Sequence, residues 1–439
     1  MADVRPFCGV RYGRSLVGDL EAVICPPYDI ITPQRQSELY QESEYNFVRV
    51  EFNRELPEDT NKDNRYTRAA AILEQWLKQG ILKIDKAPAI YLHDYYFAYQ
   101  GKEYRRRGII ARVRLEKWDK MVVRPHENTM ARPKSDRLSL LWALQANTST
   151  VFALYEDQGR QISTLLAARE QDKQVISLGT GDGEKHEVRA VTDTGTINQL
   201  CSVLADQPLY VADGHHRYES ALAYQQELSA SSAMKSADAG YNFVMMTLVD
   251  LADPGLVILP FHRLVRGLSR STIEGLLPKL PQFFEIKRLS FGAPGAWQQV
   301  DDFLNEEEDQ VRLVLCGLLK KSLFLLKLRD FAITGPMMPQ FHSGIYQRLS
   351  VSIVDHVILE GLLGMSHERG DKEMSVDYIF DWQDAASKVL DQEYQLAFLL
   401  RPVKARVIKD IADTGDRMPR KTTCFYPKMP SGLVFYRLE

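Results

Sequence analysis

Between residues 208 and 217 an apolar run breaks straight into five polar or special residues. Pro208-Leu209-Tyr210-Val211-Ala212 reads as a short buried strand, Asp213-Gly214-His215-His216-Arg217 follows without a spacer, and Tyr218–Leu228 has the apolar spacing of a helix. A strand that turns through one glycine into a helix leaves the first N–H groups of that helix unpaired and pointing outward. With the helix dipole they attract an anion. Arg217 adds a planar fork suited to phosphate or carboxylate. Two adjacent histidines beside Asp213 bring groups that move protons, grip phosphate oxygens or hold a metal. The plain alternative is a turn in which Asp213 caps the helix, Gly214 bends the chain and the histidines face solvent.

The rest of the chain alternates strands and helices, and many strands come in pairs across turn signals. Ile90–Tyr99 and Tyr104–Leu115 flank Gln100-Gly101-Lys102-Glu103, and 175–191 folds about Gly181-Asp182-Gly183. Residues 241–251 and 256–265 flank Ala252-Asp253-Pro254-Gly255. Each of these reads as a hairpin. Residues 46–52, NFVRVEF, alternate and are rich in β-formers, which predicts a strand. Helices are expected over Gln34–Tyr40 after Pro33, over Tyr66–Leu77, and from Ser135 or Asp136 onward. Hairpins in this number favour a mixed α+β fold, with hairpin-rich sheets and flanking helices, over a doubly wound parallel sheet. No GxGxxG follows the first strand and no GxxxxGKS/T occurs, so dinucleotide-binding and P-loop readings are weak.

With 439 residues the chain has room for two or three domains of ~100–200 residues. The small polar tract at 229–240 divides an N-terminal region, 1–228, from a C-terminal region, 241–439. Lys and Arg number 55 against 58 Asp and Glu, a net charge of -3, so nothing points to nucleic acid as a partner. No apolar run reaches the ~18 residues of a membrane span. The start, MADVRPFCGVRYG, lacks the apolar core of a secretory signal. Cys8, Cys25, Cys201, Cys316 and Cys424 are scattered and form no CxxC pair. That argues against a zinc ribbon or disulfide framework and for a reducing cytoplasm.

Further polar clusters punctuate the chain. His126-Glu127 sits on its own strand-to-helix connection, and a carboxylate beside a histidine suits general-base work if the fold brings it to the anion site. It is not an HExxH motif, which excludes a zincin. Lys134, Asp136 and Arg137 follow at the next helix. Pro26-Pro27-Tyr28-Asp29 is a rigid loop carrying an acid, and His262-Arg263 repeats the His-Arg theme. Near the end, Pro419 to Lys428 packs Arg420, Lys421, Thr423 and Lys428 among aromatics, a cation set suited to an anionic substrate.

Taken together these stretches resemble a bacterial and archaeal family catalogued as domain of unknown function 1015, over essentially the whole chain. A more distant resemblance is to the free serine kinases of the ParB/sulfiredoxin superfamily. There an HE pair, a helix, a strand ending in Asp-Gly-His-(Thr or His)-Arg and a second helix come in the same order. This implies a ParB/sulfiredoxin-like core around 213–217, with Glu127 matching the family's base and Asp213–Arg217 its nucleotide-phosphate turn. The two motifs stand farther apart here, so 150–207 is expected to be a β-rich insertion folded away from the site.

The activity implied is that of a phosphotransferase using ATP or ADP, with Mg²⁺ and Asp213 as its ligand. Glu127 and His126 would serve the hydroxyl proton, and His215, His216 and Arg217 would neutralise the phosphoryl group. Asp213, Gly214 and Arg217 would hold the nucleotide. The substrate is a small hydroxylated metabolite, free serine first, held by Arg137, Lys134, Lys421, Thr423 and Lys428. The same residues also suit a phosphatase of phosphoserine or a non-catalytic regulator that binds a nucleotide or phosphometabolite. The oligomeric state is open.

Overall fold

The computed structural model describes residues 1–231, 236–306, 310–365 and 375–438. The chain divides into two compact units, 1–257 with 427–439, and 258–426. The polar tract at 229–240 lies within the first unit, with 232–235 of it outside the described residues. No helix among the described residues is long and apolar enough to cross a membrane.

A nine-stranded sheet organises the first unit. Its strands are β1 (Val4–Arg5), β2 (Ile90–Tyr99), β3 (Lys102–Arg114), β4 (Val123–Pro125), β5 (Val151–Tyr155), β6 (Gln174–Gly179), β7 (Lys185–Val191), β8 (Leu209–Asp213) and β9 (Phe243–Asp250). They lie in the order β4-β8-β5-β9-β3-β2-β7-β6, with β1 on β3. β4 runs parallel to β8, and β5 to β9. The other neighbours are antiparallel, which makes this the mixed α+β architecture expected. β9 is apolar but for Thr247 and the terminal Asp250 because both its faces are covered. Phe243 and Met245 pack with Phe7, Phe47 and Trp76 on one face. Val244, Met246 and Leu248 pack with Leu141 and Tyr218 on the other.

Four readings are corrected. The hairpin about Ala252–Gly255 does not form, because β3 and β5 already occupy both edges of β9. The turn instead packs on β3: Asp253 accepts from the Gly255 and Arg107 N–H groups, and a Cβ at Gly255 would lie 2.4 Å from the Arg105 carbonyl. Nor does the whole of 150–207 fold away from the site. It contributes β5 between β8 and β9, and β6 and β7 at the far edge. Of residues 46–52, Val48–Glu51 form a short helix. The Asn46 side chain decides this by accepting from the Val48 N–H (3.0 Å) and donating to the Ala22 and Ile24 carbonyls, a local alternative to the ladder. Finally, the helix expected from Ser135 begins at Ala131 and runs to Leu144. Pro133 is tolerated there because first-turn N–H groups have no helical acceptor.

Residues 427–439 return to thread the first unit. Val10 and Phe435 exchange backbone hydrogen bonds, Cys25 does so with Ser431, and Tyr436–Arg437 pairs with Ala146–Asn147. The second unit carries a six-stranded antiparallel sheet of β10 (His262–Arg266), β11 (Phe284–Ser290), β12 (Arg312–Cys316), β13 (Ser322–Leu328), β14 (Ser375–Ile379) and β15 (Leu396–Leu400). Its order is β11-β13-β12-β15-β10-β14. Arg263, wholly buried, pairs with Asp355 at 3.3 Å and donates to the carbonyls of Phe261, Arg420 and Lys421. Two of the clusters noted in the sequence are thus tied together by one guanidinium.

β2 and β7 bury a histidine pair. His93 Nε2 and His186 Nδ1 lie 3.0 Å apart, and both rings are about 1% exposed. Burial pushes His93 well down and His186 to about 3. A depressed histidine contributes stability above its unfolded pKa near 6.5 and loses it as pH falls. Denaturant titrations between pH 8 and pH 4 are therefore expected to show stability falling below about pH 6.5. The pair's share is up to about 2.7 kcal/mol per pH unit, two protons' worth. The His93→Phe/His186→Phe variant is expected to flatten that share, and an unchanged slope would show that the pair does not carry it.

Candidate active site

β8 ends at Asp213, and one glycine later helix α1 (His215–Ser231) begins. Gly214 has φ +93°, in the left-handed region, and a Cβ there would lie 2.9 Å from Arg217 Nε and 3.1 Å from its Cζ. The turn therefore needs glycine twice over, for its backbone angle and for the guanidinium folded across it. Arg217 donates to the Thr150 carbonyl and, at 2.9 Å, to Asp213 Oδ1. Its buried Nε has no acceptor among the described residues. The second Asp213 oxygen pairs with Lys428, which also lies 3.5 Å from Asp29.

Burial pushes the Asp213 carboxyl up, but the Lys428 and Arg217 charges outweigh it and hold the group well below the usual carboxylate range. Burial pulls Arg217 down, and Asp213 and Asp29 more than offset this, so it remains a cation.

The parallel pairing of β4 with β8, Val123 opposite Leu209 and Pro125 opposite Val211, settles where the HE pair goes. Parallel neighbours end on the same side, so His126 and Glu127 step off the sheet at the end where the Asp213–Arg217 turn begins. The His126 ring, 1% exposed, sits 4.8 Å from the His215 ring. His126 Nδ1 is 2.7 Å from the Val211 carbonyl, which only accepts, so Nδ1 carries the proton and Nε2 is the basic nitrogen of the neutral ring. The backbone N–H of His126 donates to His215 Nε2 (3.3 Å), and that of Met130 to His216 Nε2 (2.9 Å). In the neutral rings this places the proton of both histidines on Nδ1.

Helix α2 (Ala131–Leu144) packs beside α1 and carries Lys134, Asp136 and Arg137. Lys134 lies 3.5 Å from Glu219 of α1. Arg137 is buried. It pairs with Glu51 at 3.3 Å and Asp136 at 2.6 Å, and stacks 3.9 Å over the Tyr28 ring. Burial pushes the Tyr28 hydroxyl up to about 12, against the opposing pull of Arg217 and Arg137. Between α1, α2 and the sheet lies a cavity of about 40 Å³ lined by Arg137, Arg217, Thr148, Ser149 and Ser220 among others. Among the described residues no three His, Cys, Asp or Glu side chains converge as a metal set.

The first unit thus gathers His126, Glu127, Lys134, Arg137, Asp213, Gly214, His215, His216, Arg217 and Lys428. Lys421 and Thr423 belong to the second unit. There Lys421 lies over the Phe261 ring at 5.0 Å, and Thr423 is buried at the start of a short strand, Thr423–Tyr426. Sequence reading missed Glu51, Ser149 and Glu219. Glu51 left one signal, an acid inside an otherwise apolar alternation, and it is wholly buried against Arg137 and Ser149.

No match is found among the curated proteins. Several solved structures are similar. A conserved hypothetical protein from Pyrococcus furiosus is 14% identical, with 74% of this chain and 95% of that one covered and a TM-score of 0.34. A free serine kinase in complex with AMP is 11% identical, with 74% and 92% covered and a TM-score of 0.34. SbnI with C-terminal truncation, from Staphylococcus aureus, is 11% identical, with 73% and 85% covered and a TM-score of 0.34. Residues 4–352 match the model of the family described as protein of unknown function, DUF1015, and the chain belongs to that family.

Proposed function

We propose that the protein is a phosphotransferase that moves a phosphoryl group from ATP or ADP to the hydroxyl of a small metabolite, free serine first among them. The observation that carries this reading is the parallel β4–β8 pairing, which puts an acid-bearing loop and an anion-binding turn at one sheet end. The phosphates would lie at the N-terminus of α1, a position suited to negative charge. Arg217, whose Nε has no acceptor among the described residues, and the rings of His215 and His216 would stabilise charge on the transferring group. Glu127 would accept the hydroxyl proton, with His126 Nε2 beside it as a second base. The cavity between Arg137 and Arg217, edged by hydroxyls, suits a substrate carboxylate. Lys134 and Lys428 add positive charge at its approaches. Mg²⁺ would come in with the nucleotide and spread the phosphate charge, but Asp213 does not fit as its ligand, because Arg217 and Lys428 already hold its two oxygens.

Phosphorus NMR on the purified protein with Mg²⁺, ATP or ADP, and free serine tests the reading, with Glu127→Gln in parallel. The expected result is a phosphoserine signal that forms with one nucleotide. In the variant it should slow by about 10²–10⁴-fold, the range a positioned base contributes, while nucleotide binding is unchanged. Phosphate release from phosphoserine without nucleotide would replace the kinase with a phosphatase. Tight nucleotide binding with neither reaction would make the protein a regulator.

A further inference from the structure

The loop 126–130 carries the proposed base, and it is gripped by one face of the helix that opens on the anion turn. His216, Glu219 and Ser220, at helical spacings of three and four, point to the same side of α1. His216 Nε2 accepts the Met130 N–H at 2.9 Å. Ser220 Oγ donates to the Lys134 carbonyl at 2.8 Å, where α2 begins. Glu219 is the hub. Its Oε2 accepts from Thr129 Oγ1 at 2.6 Å and lies 3.5 Å from Lys134 Nζ, and its Oε1 accepts from Trp118 Nε1 at 3.2 Å. Trp118 in turn stacks on Tyr218 at 4.3 Å. The Glu219 side chain is three-quarters buried, at 24% exposure, and gathers its donors from both ends of the segment that holds the HE pair.

We propose that Glu219 is a positioning residue: it binds loop 126–130 to the anion-turn helix through Thr129, and so sets where Glu127 stands relative to a ligand on that helix. The claim about catalysis rests on the phosphotransferase reading, whereas the claim about the loop does not. A carboxylate that accepts two hydrogen bonds and faces the Lys134 charge at a loop-helix junction removes the loop's freedom to swing. Orientation of this kind is felt in turnover rather than in nucleotide affinity. Gln at 219 keeps the two hydrogen bonds, because a hydroxyl both donates and accepts and the amide oxygen still faces Trp118. Ala keeps none.

The test is amide hydrogen exchange on the full-length chain as wild type, Glu219→Ala, Glu219→Gln and Thr129→Val. The last cuts the same bond from the loop side and leaves the helix untouched. Exchange at 127–130 is expected to speed up about tenfold in Glu219→Ala and Thr129→Val, the effect of losing one charge-assisted hydrogen bond. It should stay near wild type in Glu219→Gln, with β9 protection unchanged in all four. If the wild type turns over serine, kcat in Glu219→Ala is expected to fall about tenfold with the nucleotide KM unchanged, and Gln to rescue it. Unaltered loop exchange in both Glu219→Ala and Thr129→Val would overturn the proposal. A wild type without turnover would remove the phosphotransferase reading and leave the exchange result to decide the loop.

Discussion

Asp213→Ala is expected to lower the stability of the first unit by about 3–5 kcal/mol, the cost of breaking a buried ion pair from one side. The Asp213 side chain is only 17% exposed, and each oxygen has a cation, Arg217 on Oδ1 and Lys428 on Oδ2. Removing the carboxylate leaves the Arg217 guanidinium, itself 12% exposed, without the group it was folded against. The pH dependence follows from the sign of the shift. The folded carboxyl titrates well below its unfolded value near 3.9, so its contribution is complete above about pH 4 and is lost only as pH falls further. The difference between wild type and variant in denaturant titrations should therefore be flat from pH 8 to pH 5 and shrink below pH 4. Lys428→Met in the Asp213→Ala background should recover part of the loss, because it removes one of the two cations that faced the carboxylate. A difference that grows on acidification would refute this account of the turn.

Phe435→Ala is expected to cost about 3–5 kcal/mol, as for other large-to-small changes in cores. Phe435 is fully buried, packs on Phe47 with ring centroids 5.4 Å apart, and exchanges both backbone hydrogen bonds with Val10. The effect should reach the site, since the returning segment 427–439 also delivers Lys428 to Asp213 and Asp29. Denaturant midpoints give the stability, and hydrogen exchange at Val10 and Cys25, both paired with the tail, gives its location. A loss under about 1 kcal/mol would mean that the tail only covers the core and is not part of it.

Residues 208–228 form the elements read from sequence, apolar strand, glycine turn and helix, though the helix begins at His215 rather than Tyr218 and runs on to Ser231 into the tract expected as a loop. All three are local, set by a run of apolar residues, the one residue that adopts φ +93° beside a guanidinium, and helical spacing. The β2–β3 and β6–β7 hairpins were legible for the same reason, since turn chemistry and two alternating flanks lie within a few residues of each other. Where local signals failed, a distant part of the chain outvoted them. Residues 46–52 have strand propensity, but Asn46 anchors them to the 22–24 backbone as a helical turn. The 252–255 turn is as good a hairpin signal as any in the chain, yet β9 had no edge left to offer.

The site divides in the same way. The strand, glycine turn and helix that carry Asp213, Gly214 and Arg217 were recognisable by sequence alone, because they are written in consecutive residues. The residues themselves do not show that Glu127 stands at the same sheet end, which the resemblance in motif order implied, since 86 residues separate it from Asp213 and the β4–β8 pairing spans that gap. The same holds for Glu51 behind Arg137, for Glu219 under the loop, and for Lys428, which returns with the last segment after the whole second unit. Backbone conformation depends on neighbours along the chain, and these short-range preferences can be read from a string of residues. Strand order and the partner of a buried charge depend on which edges and faces remain unoccupied, and only the assembled sheet decides that.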